Sequence, residues 1–311
     1  MALAVINNWR SSHSYPLNAL QVSLRKLAPK IDGDPTVAQR IKRLPSIRHK
    51  LERFGGMRLS QMQDIGGCRA VLSSVEAVDE LVAYYKTKSR AKHTLIGEDP
   101  YILEPKSSGY RGVHLIYSYS GRSEWNGLKV EIQLRSRLQH AWATAVETVG
   151  TFTRQALKSS LGEADWLEFF TLMSSALARR EGTPLVPNTP EDAETLTQEL
   201  RRYTRKLKVI DRLQAYGQTL QHVERTLEGV KGGHTFLLEL DVETQRLTVW
   251  DFDNTVQAVE QYEAVERAIE DQPNKDAVLV SVESLATLRR AYPNYFLDTT
   301  AFVESVREAI A

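Results

Sequence analysis

Along Leu128–Arg135 apolar and polar side chains alternate, with Val130, Ile132 and Leu134 set against Glu131, Gln133 and Arg135. Side chains on a strand face opposite ways with period two, so the run predicts a strand bearing a carboxylate, an amide and a guanidinium in a row. Such a row can hold a metal ion, a sugar hydroxyl and a phosphate; taken alone it reads also as the solvent face of an amphipathic strand. Three further stretches carry similar chemistry. Glu104–His114 sets Lys106 and Arg111 around a turn with Gly109, Gly112 and the ring of Tyr110, which is an inventory for phosphates and a base. In Gln63–Arg69 an acid, Asp64, stands before a glycine pair and a short apolar run, a place for a metal-binding carboxylate or for a turn-capping one, and Arg69 follows on that run. Between Arg40 and Arg58 seven cations (Arg40, Lys42, Arg43, Arg48, Lys50, Arg53, Arg58) face one acid, Glu52. With a net charge of only +1, anion binding has to come from such local clusters.

The elements that must position these residues follow from periodicity. Leu17, Leu20, Leu24 and Leu27 predict an amphipathic helix over 17–31, broken near Pro29, and a second helix is expected over 46–54. Strands are expected at Cys68–Leu72, Val113–Tyr119 and Leu128–Arg135, with helices over 75–86 and 136–149. Strands alternating with helices argue for an α/β (α+β) fold, a mixed sheet with flanking helices. Beyond Gly150 helices are expected over 163–180 and 191–227, the second with Thr189 as N-cap, Pro190 at the first helical position and Asp192 completing a capping box. A hairpin (235–240, 248–252), a helix (256–269), a buried strand (277–282) and two terminal helices complete the chain. The expected division is residues 1–155 as the chemical domain, 156–230 as a helical extension and 231–311 as a small separate α/β module. At 311 residues the chain is long enough for one large domain or two ordinary ones, and two are expected.

In order, the chain reads Arg40-x-Lys42-x-x-x-Ser46-Ile47-x-x-Lys50, then Asp64-Ile65-Gly66-Gly67-Cys68-Arg69, then Pro105-Lys106-x-x-Gly109-Tyr110-x-x-Val113-His114, then Val130-Glu131-Ile132-Gln133-Leu134-Arg135, with His140-x-Trp142-Ala143 and Glu147 beyond. This succession, over roughly residues 35–150, resembles the synthetase domain of the RelA/SpoT family, which makes the alarmones ppGpp and pppGpp. The resemblance implies a nucleotidyltransferase-like fold and transfer of pyrophosphate from ATP to the 3′-hydroxyl of GDP or GTP. It assigns Arg40, Lys42, Ser46, Lys50 and Arg69 to the ATP donor, and Asp64 and Glu131 to catalytic Mg²⁺, with Glu131 also placed to help deprotonate the acceptor. Lys106, Tyr110, His114, Gln133 and Arg135 fall on the acceptor-nucleotide pocket. No His-Asp dipeptide, the mark of the family's hydrolase domain, occurs here, so synthesis without hydrolysis is expected.

The chain also departs from the family pattern. It reads Ser108-Gly109-Tyr110-Arg111-Gly112-Val113-His114 where many members have Asn-Gly-Tyr-x-Ser-x-His, and Asp99-Pro100-Tyr101-Ile102 for Asp-Tyr-Ile. Ser136 replaces a threonine, and Thr148 and Phe152-Thr153 replace a histidine and a Tyr-Lys pair. Acceptor identity is thereby left open. Compact relatives act as toxins on adenosine nucleotides or the tRNA 3′ end, and Arg201, Arg202, Arg205, Lys206, Lys208 and Arg212 form a cluster able to grip RNA or to remain a solvated helix face. A catalytically inactive nucleotide-binding module is the third reading. The C-terminal module could sense a partner, neutralise the activity in cis, or form a homo-oligomer interface. One cysteine, Cys68, excludes an internal disulfide and suits a reducing cytoplasm, and no run reaches the ~18 apolar residues of a membrane span.

Overall fold

The computed structural model describes residues 2–87, 93–121, 123–153, 157, 163–219, 222–225, 234–269, 272 and 274–311. The first half runs α1 (Ala2–Ser12), α2 (Ser14–Ile31), β1 (Thr36–Ile41), α3 (Leu44–Arg53), β2 (Gly66–Leu72), α4 (Val75–Thr87), β3 (Thr94–Pro100), β4 (Val113–Ser118), β5 (Lys129–Ser136) and α5 (Arg137–Thr153). The second half runs α6 (Ala164–Arg180), α7 (Ala193–Leu207), α8 (Val209–Thr219), β6 (His222–Arg225), β7 (His234–Asp241), β8 (Arg246–Phe252), α9 (Thr255–Ala268), β9 (Lys275–Val282), α10 (Leu285–Ala291) and α11 (Thr300–Ile310).

Nine strands form one mixed sheet in the order β3-β4-β5-β2-β1-β9-β7-β8-β6. The β2–β5 and β6–β8 pairs are parallel and the others antiparallel. One face is covered by α2 and α4, where Leu17, Leu20, Leu24, Val78 and Leu81 pack on Val130, Ile132 and Leu134, the apolar face expected of β5. Further along that face, α9 packs Ala258, Tyr262 and Val265 on Leu237 and Leu279. On the opposite face, Ala38 of β1 and the inner residues of β7 and β9 meet Leu288, Tyr292 and Tyr295 from α10 and the loop after it.

The C-terminal strands, expected to stand as a module of their own, extend the N-terminal sheet. Strand β9 pairs with β1 at Gln39↔Ser281 and Arg40↔Val280. The final helix α11 returns to the middle of the chain, placing Phe302, Val303 and Val306 among Trp166, Phe169, Phe170, Leu200 and Leu213 of α6–α8. Apolar stripes on α6, α7 and α11 would each be bare without the others, which is why the helical extension and the C-terminus form one core. The expected boundaries at 155/156 and 230/231 lie outside the described residues. No described helix is long and apolar enough to cross a membrane.

Three local expectations need correction. The helix expected over 191–227 divides at Lys208, which adopts a left-handed conformation (φ 50°), and residues 222–225 are strand. The remainder of that stretch beyond Thr219 lies outside the described residues. Asp192, not Thr189, is the N-cap of α7: its carboxylate accepts from the Thr195 amide at 2.7 Å, while the Thr189 hydroxyl donates to the Val186 carbonyl. The helix α2 runs two residues past Pro29 before it ends at Asp32. Strands β1 and β3 and helix α1 were not expected from the sequence.

A buried ion pair fastens the two halves. Arg10 of α1 donates to Glu266 of α9 from both terminal nitrogens (2.7 and 3.2 Å), and its Nε donates to the Lys42 carbonyl at 3.0 Å. Glu266 also accepts from the Leu44 amide at 3.0 Å, so it supplies a negative charge to the N-terminus of α3. Both side chains are about 5% exposed. Removing one partner leaves the other charge buried, so Glu266→Ala should lower stability by on the order of 3 kcal/mol in urea unfolding. The volume-matched pair Arg10→Met with Glu266→Leu should recover most of that loss.

Candidate active site

Strand β1 alternates its side chains across the sheet, Val37 joining the α2 side and Ala38 the α10 side. Arg40 therefore follows Ala38, and Lys42 lies just beyond the strand end. In the neighbouring strand, Ala38 is opposite Arg69 and Arg40 opposite Gly67; in the next, Gly67 is opposite Glu131 and Arg69 opposite Gln133. Register alone thus gathers residues more than 90 positions apart. Arg40, Lys42, Asp64, Arg69, Glu131 and Gln133 line one cavity together with Tyr292.

Within it the charges are paired. Asp64 accepts from Lys42 at 2.7 Å and from Lys50 at 3.1 Å. Burial would raise the Asp64 carboxyl, but the two ammonium groups hold it below its ordinary value, while the Glu131 charge opposes them. The same burial lowers Lys42 despite Asp64. Glu131, 8% exposed, is not a solvent-facing residue: it accepts from His114 at 2.9 Å and from the Gln133 amide. Burial raises its carboxyl, yet His114 and Gln133 outweigh this and hold it down to about 2. Conversely, burial alone would lower the His114 imidazole, and Tyr110 and Glu131 raise it to about 9.

The acceptor residues form a continuous chain from Glu131. His114 Nε2 lies 2.6 Å from the Tyr110 hydroxyl, which accepts from Arg135 at 2.9 Å, and Arg135 also donates to Gln133 at 3.1 Å. Lys106 stands 4.1 Å from the Tyr101 ring centroid and 5.4 Å from that of Tyr110. Ser46, in the first turn of α3, lies one turn before Lys50 and makes no hydrogen bond to these groups among the described residues. Of the expected site residues it is the one the cluster leaves out.

The loop that holds Tyr110 explains one departure in the sequence. Arg111, offered by its sequence context as a phosphate ligand, is 3% exposed and donates to the Ile102 and Pro184 carbonyls, the Thr183 hydroxyl and the Ser174 hydroxyl. It is an anchor between the loop, α6 and the 182–190 linker. Ser174 in turn donates to the Gly109 carbonyl at 2.6 Å. Gly109 has φ +88°, and a Cβ there would lie 3.0 Å from Ser174 and Trp142; at Gly112, φ +145°, it would lie 3.2 Å from the Leu134 carbonyl. Both glycines are set by close packing of the loop.

Sequence reasoning missed the residues that close the cavity. Tyr292, 2% exposed, places its ring 5.0 Å from the Arg69 guanidinium carbon and donates from its hydroxyl to the Gln39 carbonyl at 3.3 Å. Arg43 pairs with Asp276 and donates to Tyr295 at 3.3 Å, and Tyr295 donates to Asp276 at 2.9 Å. His140 donates to the Arg290 carbonyl at 3.0 Å, tying α5 to α10. The aromatic pair Tyr292 and Tyr295, three residues apart beside a proline, was the available signal.

As for Mg²⁺, Asp64 and Glu131 are hard oxygen donors on one cavity, and the Glu131 charge acts on Asp64. No group of three or more His, Cys, Asp or Glu able to hold a metal occurs among the described residues. Two carboxylates suit an ion held largely through phosphate oxygens, so the residues fit it.

Residues 39–152 match the family described as the region found in RelA/SpoT proteins. Over these residues the chain is similar to that family. Over 115 residues the chain is 32% identical to the GTP pyrophosphokinase YjbM of Bacillus subtilis (strain 168), covering 35% of this chain and 52% of that protein. The chain thus spans about half the length of this curated relative. Among solved structures, a GTP pyrophosphokinase family protein from Streptococcus pneumoniae aligns over 55% of this chain and 88% of its own, with 24% identity and a TM-score of 0.45. The small alarmone synthetase 2 from Bacillus subtilis aligns over 56% and 91%, with 22% identity and a TM-score of 0.45.

The charges on His114 and Glu131 make stability depend on pH. A raised imidazole contributes fully below its ordinary 6.5 and loses that contribution as pH rises through about 9; the lowered carboxyl of Glu131 loses its contribution only as pH falls through about 2. Urea unfolding should therefore show stability declining between pH 6.5 and 9, by on the order of 3 kcal/mol at most. His114→Asn should flatten that slope, and an unchanged slope would place the proton elsewhere.

Proposed function

We propose that the chain is an ATP-dependent pyrophosphokinase that transfers the β,γ-pyrophosphate of ATP to the 3′-hydroxyl of GDP or GTP. The observation that carries this reading is the convergence of Asp64 and Glu131 with Arg40, Lys42 and Arg69 on one cavity, beside the Glu131–His114–Tyr110–Arg135 chain. The match of residues 39–152 and the likeness to a GTP pyrophosphokinase support it. Phosphoryl-type transfer asks a protein for positioning and charge stabilisation, and no nucleophilic side chain is needed. The acceptor oxygen attacks the β-phosphorus, AMP departs with the pair from the α–β bridging bond, and Glu131 takes the hydroxyl proton. Asp64 and Glu131 would hold Mg²⁺, which supplies neutralisation of the triphosphate charge when bound. Lys42 and Lys50, now on Asp64, are placed to turn to phosphate oxygens, and Arg40 and Arg69 to meet the donor.

In this arrangement the cavity is about 40 Å³, far below the several hundred cubic ångströms of a nucleotide pocket. Tyr292 and the Arg43–Asp276–Tyr295 cluster occupy the space beside Arg69 and α3. The C-terminal segment thus restrains the activity in cis, and turnover requires it to withdraw.

Nothing in the geometry favours the tRNA reading. In the α7 cluster Arg201 donates to the carbonyls of Ile310 and Ala311, Arg202 pairs with Glu199, and Lys206 with Asp165. Arg201, Arg202 and Lys206 thus already have partners.

Purified protein with Mg²⁺ and γ-³²P-labelled ATP, offered GDP, GTP, AMP, ADP or deacylated tRNA, should pass label to GDP or GTP, with Glu131→Gln slower by at least ~10²-fold. Label confined to tRNA or adenosine nucleotides would replace the acceptor assignment. Tyr292→Ala, and more mildly Asp276→Asn, should raise the rate by about tenfold or more and lower the KM for ATP, since the competent fraction scales apparent affinity. A rate unchanged or reduced in both folded variants would refute closure by the C-terminal segment.

A further inference from the structure

The reverse face of the sheet holds a second, larger cavity of about 440 Å³, within the size range of small-molecule sites. Its walls are α2 on one side and α9 on the other, and its floor is the seam where β1 meets β9. That seam has only two paired positions, Gln39↔Ser281 and Arg40↔Val280, which leaves the layer above it open.

Three carboxamides line this space: Asn18 and Gln21, one turn apart on α2, and Gln39 from β1. Gln21 is 3% exposed, and the Gln39 side-chain oxygen is buried without a hydrogen-bond partner. A buried amide oxygen without a partner is costly, so a cavity that retains one has a use for it. Hydroxyls of Thr235 and Ser281 and the aliphatic walls of Leu279 and Val259 complete the lining, with no lining carboxylate. Of the two cations in the lining, Arg25 is engaged by Glu283 at 3.3 Å, and the Arg40 side chain follows Ala38 toward the opposite face of the strand. The lining therefore offers paired donors and acceptors with little net field, which suits an uncharged, flat, hydrogen-bonding ring better than an anion. Carboxamides meet nucleobase edges in two-point contacts of this kind.

We propose that this cavity is a binding site for a neutral purine nucleoside, separate from the candidate active site and on the opposite face of the same strand. An occupant would contact Gln39 and Ser281 together and so tie β1 to β9. The binding claim stands independently of the pyrophosphokinase reading.

Isothermal titration of the full chain with adenosine and guanosine, with AMP and GMP as charged counterparts, tests it. At least one nucleoside should bind and raise Tm, and its monophosphate should bind no more tightly. Gln21→Leu should weaken binding at least tenfold, Val259→Trp, which fills the space, should abolish it, and Glu131→Gln should leave it unchanged. If neither nucleoside binds, if the monophosphate binds better, or if binding survives Val259→Trp in a chain that melts cooperatively, the assignment is wrong.

Discussion

Strand β1 must satisfy two edges at once, and the rest of the molecule follows from that. Its full length pairs with β2, which sets Arg40 and Lys42 against Asp64 and, one strand further, Glu131. Its other edge would be left with unpaired backbone groups, an aggregation hazard in any sheet. Here β9 covers part of that edge, and with β9 come α9, α10 and the tyrosines of the following loop. Covering the edge and filling the cleft are therefore one structural act. A variant that frees the cleft must also leave the edge of β1 protected, or it trades occlusion for association.

The electrostatics of the cleft have the same double character. Cations meant for a triphosphate would repel one another and pay heavily for burial if left alone. Asp64 neutralises Lys42 and Lys50, Asp276 neutralises Arg43, and the rings of Tyr292 and Tyr110 lie over Arg69 and Arg135. Each of these five cations thus has a partner, which in the proposed reading a phosphate would replace. Because partners are exchanged and not created, binding a highly charged ligand need not desolvate bare ammonium groups, which would be the dominant cost in a dry cleft.

How much of this was legible in the sequence differs by the range of the interaction. The chemical face of β5 was readable because period two is a local property: Val130, Ile132 and Leu134 did go to the α2–α4 core, and Glu131, Gln133 and Arg135 to the other side. What periodicity could not show was that a second layer would bury Glu131 and Arg135. Strand β1 escaped notice because Thr36–Ile41 mixes Gln39 and Arg40 into a short run whose two faces meet different layers. Arg111 looked like a ligand because it is a cation in a flexible glycine-rich turn. Only the carbonyls of Ile102 and Pro184, supplied from elsewhere in the chain, decide that it is an anchor. Tyr292 is the extreme case, since its significance lies wholly in a contact with Arg69, more than 220 residues away.

In the proposed reading, closure and turnover would be linked by ordinary mass action. If the segment bearing Tyr292 and the donor nucleotide compete for Arg69, then each kilocalorie that stabilises the closed form weakens apparent nucleotide affinity by the same amount. The segment bearing Tyr292 is held by contacts outside the cleft: Arg290 with Asp34, and the Phe302–Val306 face of α11 on α6 and α8. Contacts at such distance give the molecule a way to set the open fraction without altering a residue that touches substrate. A protein, nucleic acid or small molecule that disturbs the β1–β9 seam would act on the same equilibrium as a mutation at Asp276. That seam consists of two residue pairs in a sheet whose other junctions, among the described residues, have four or more.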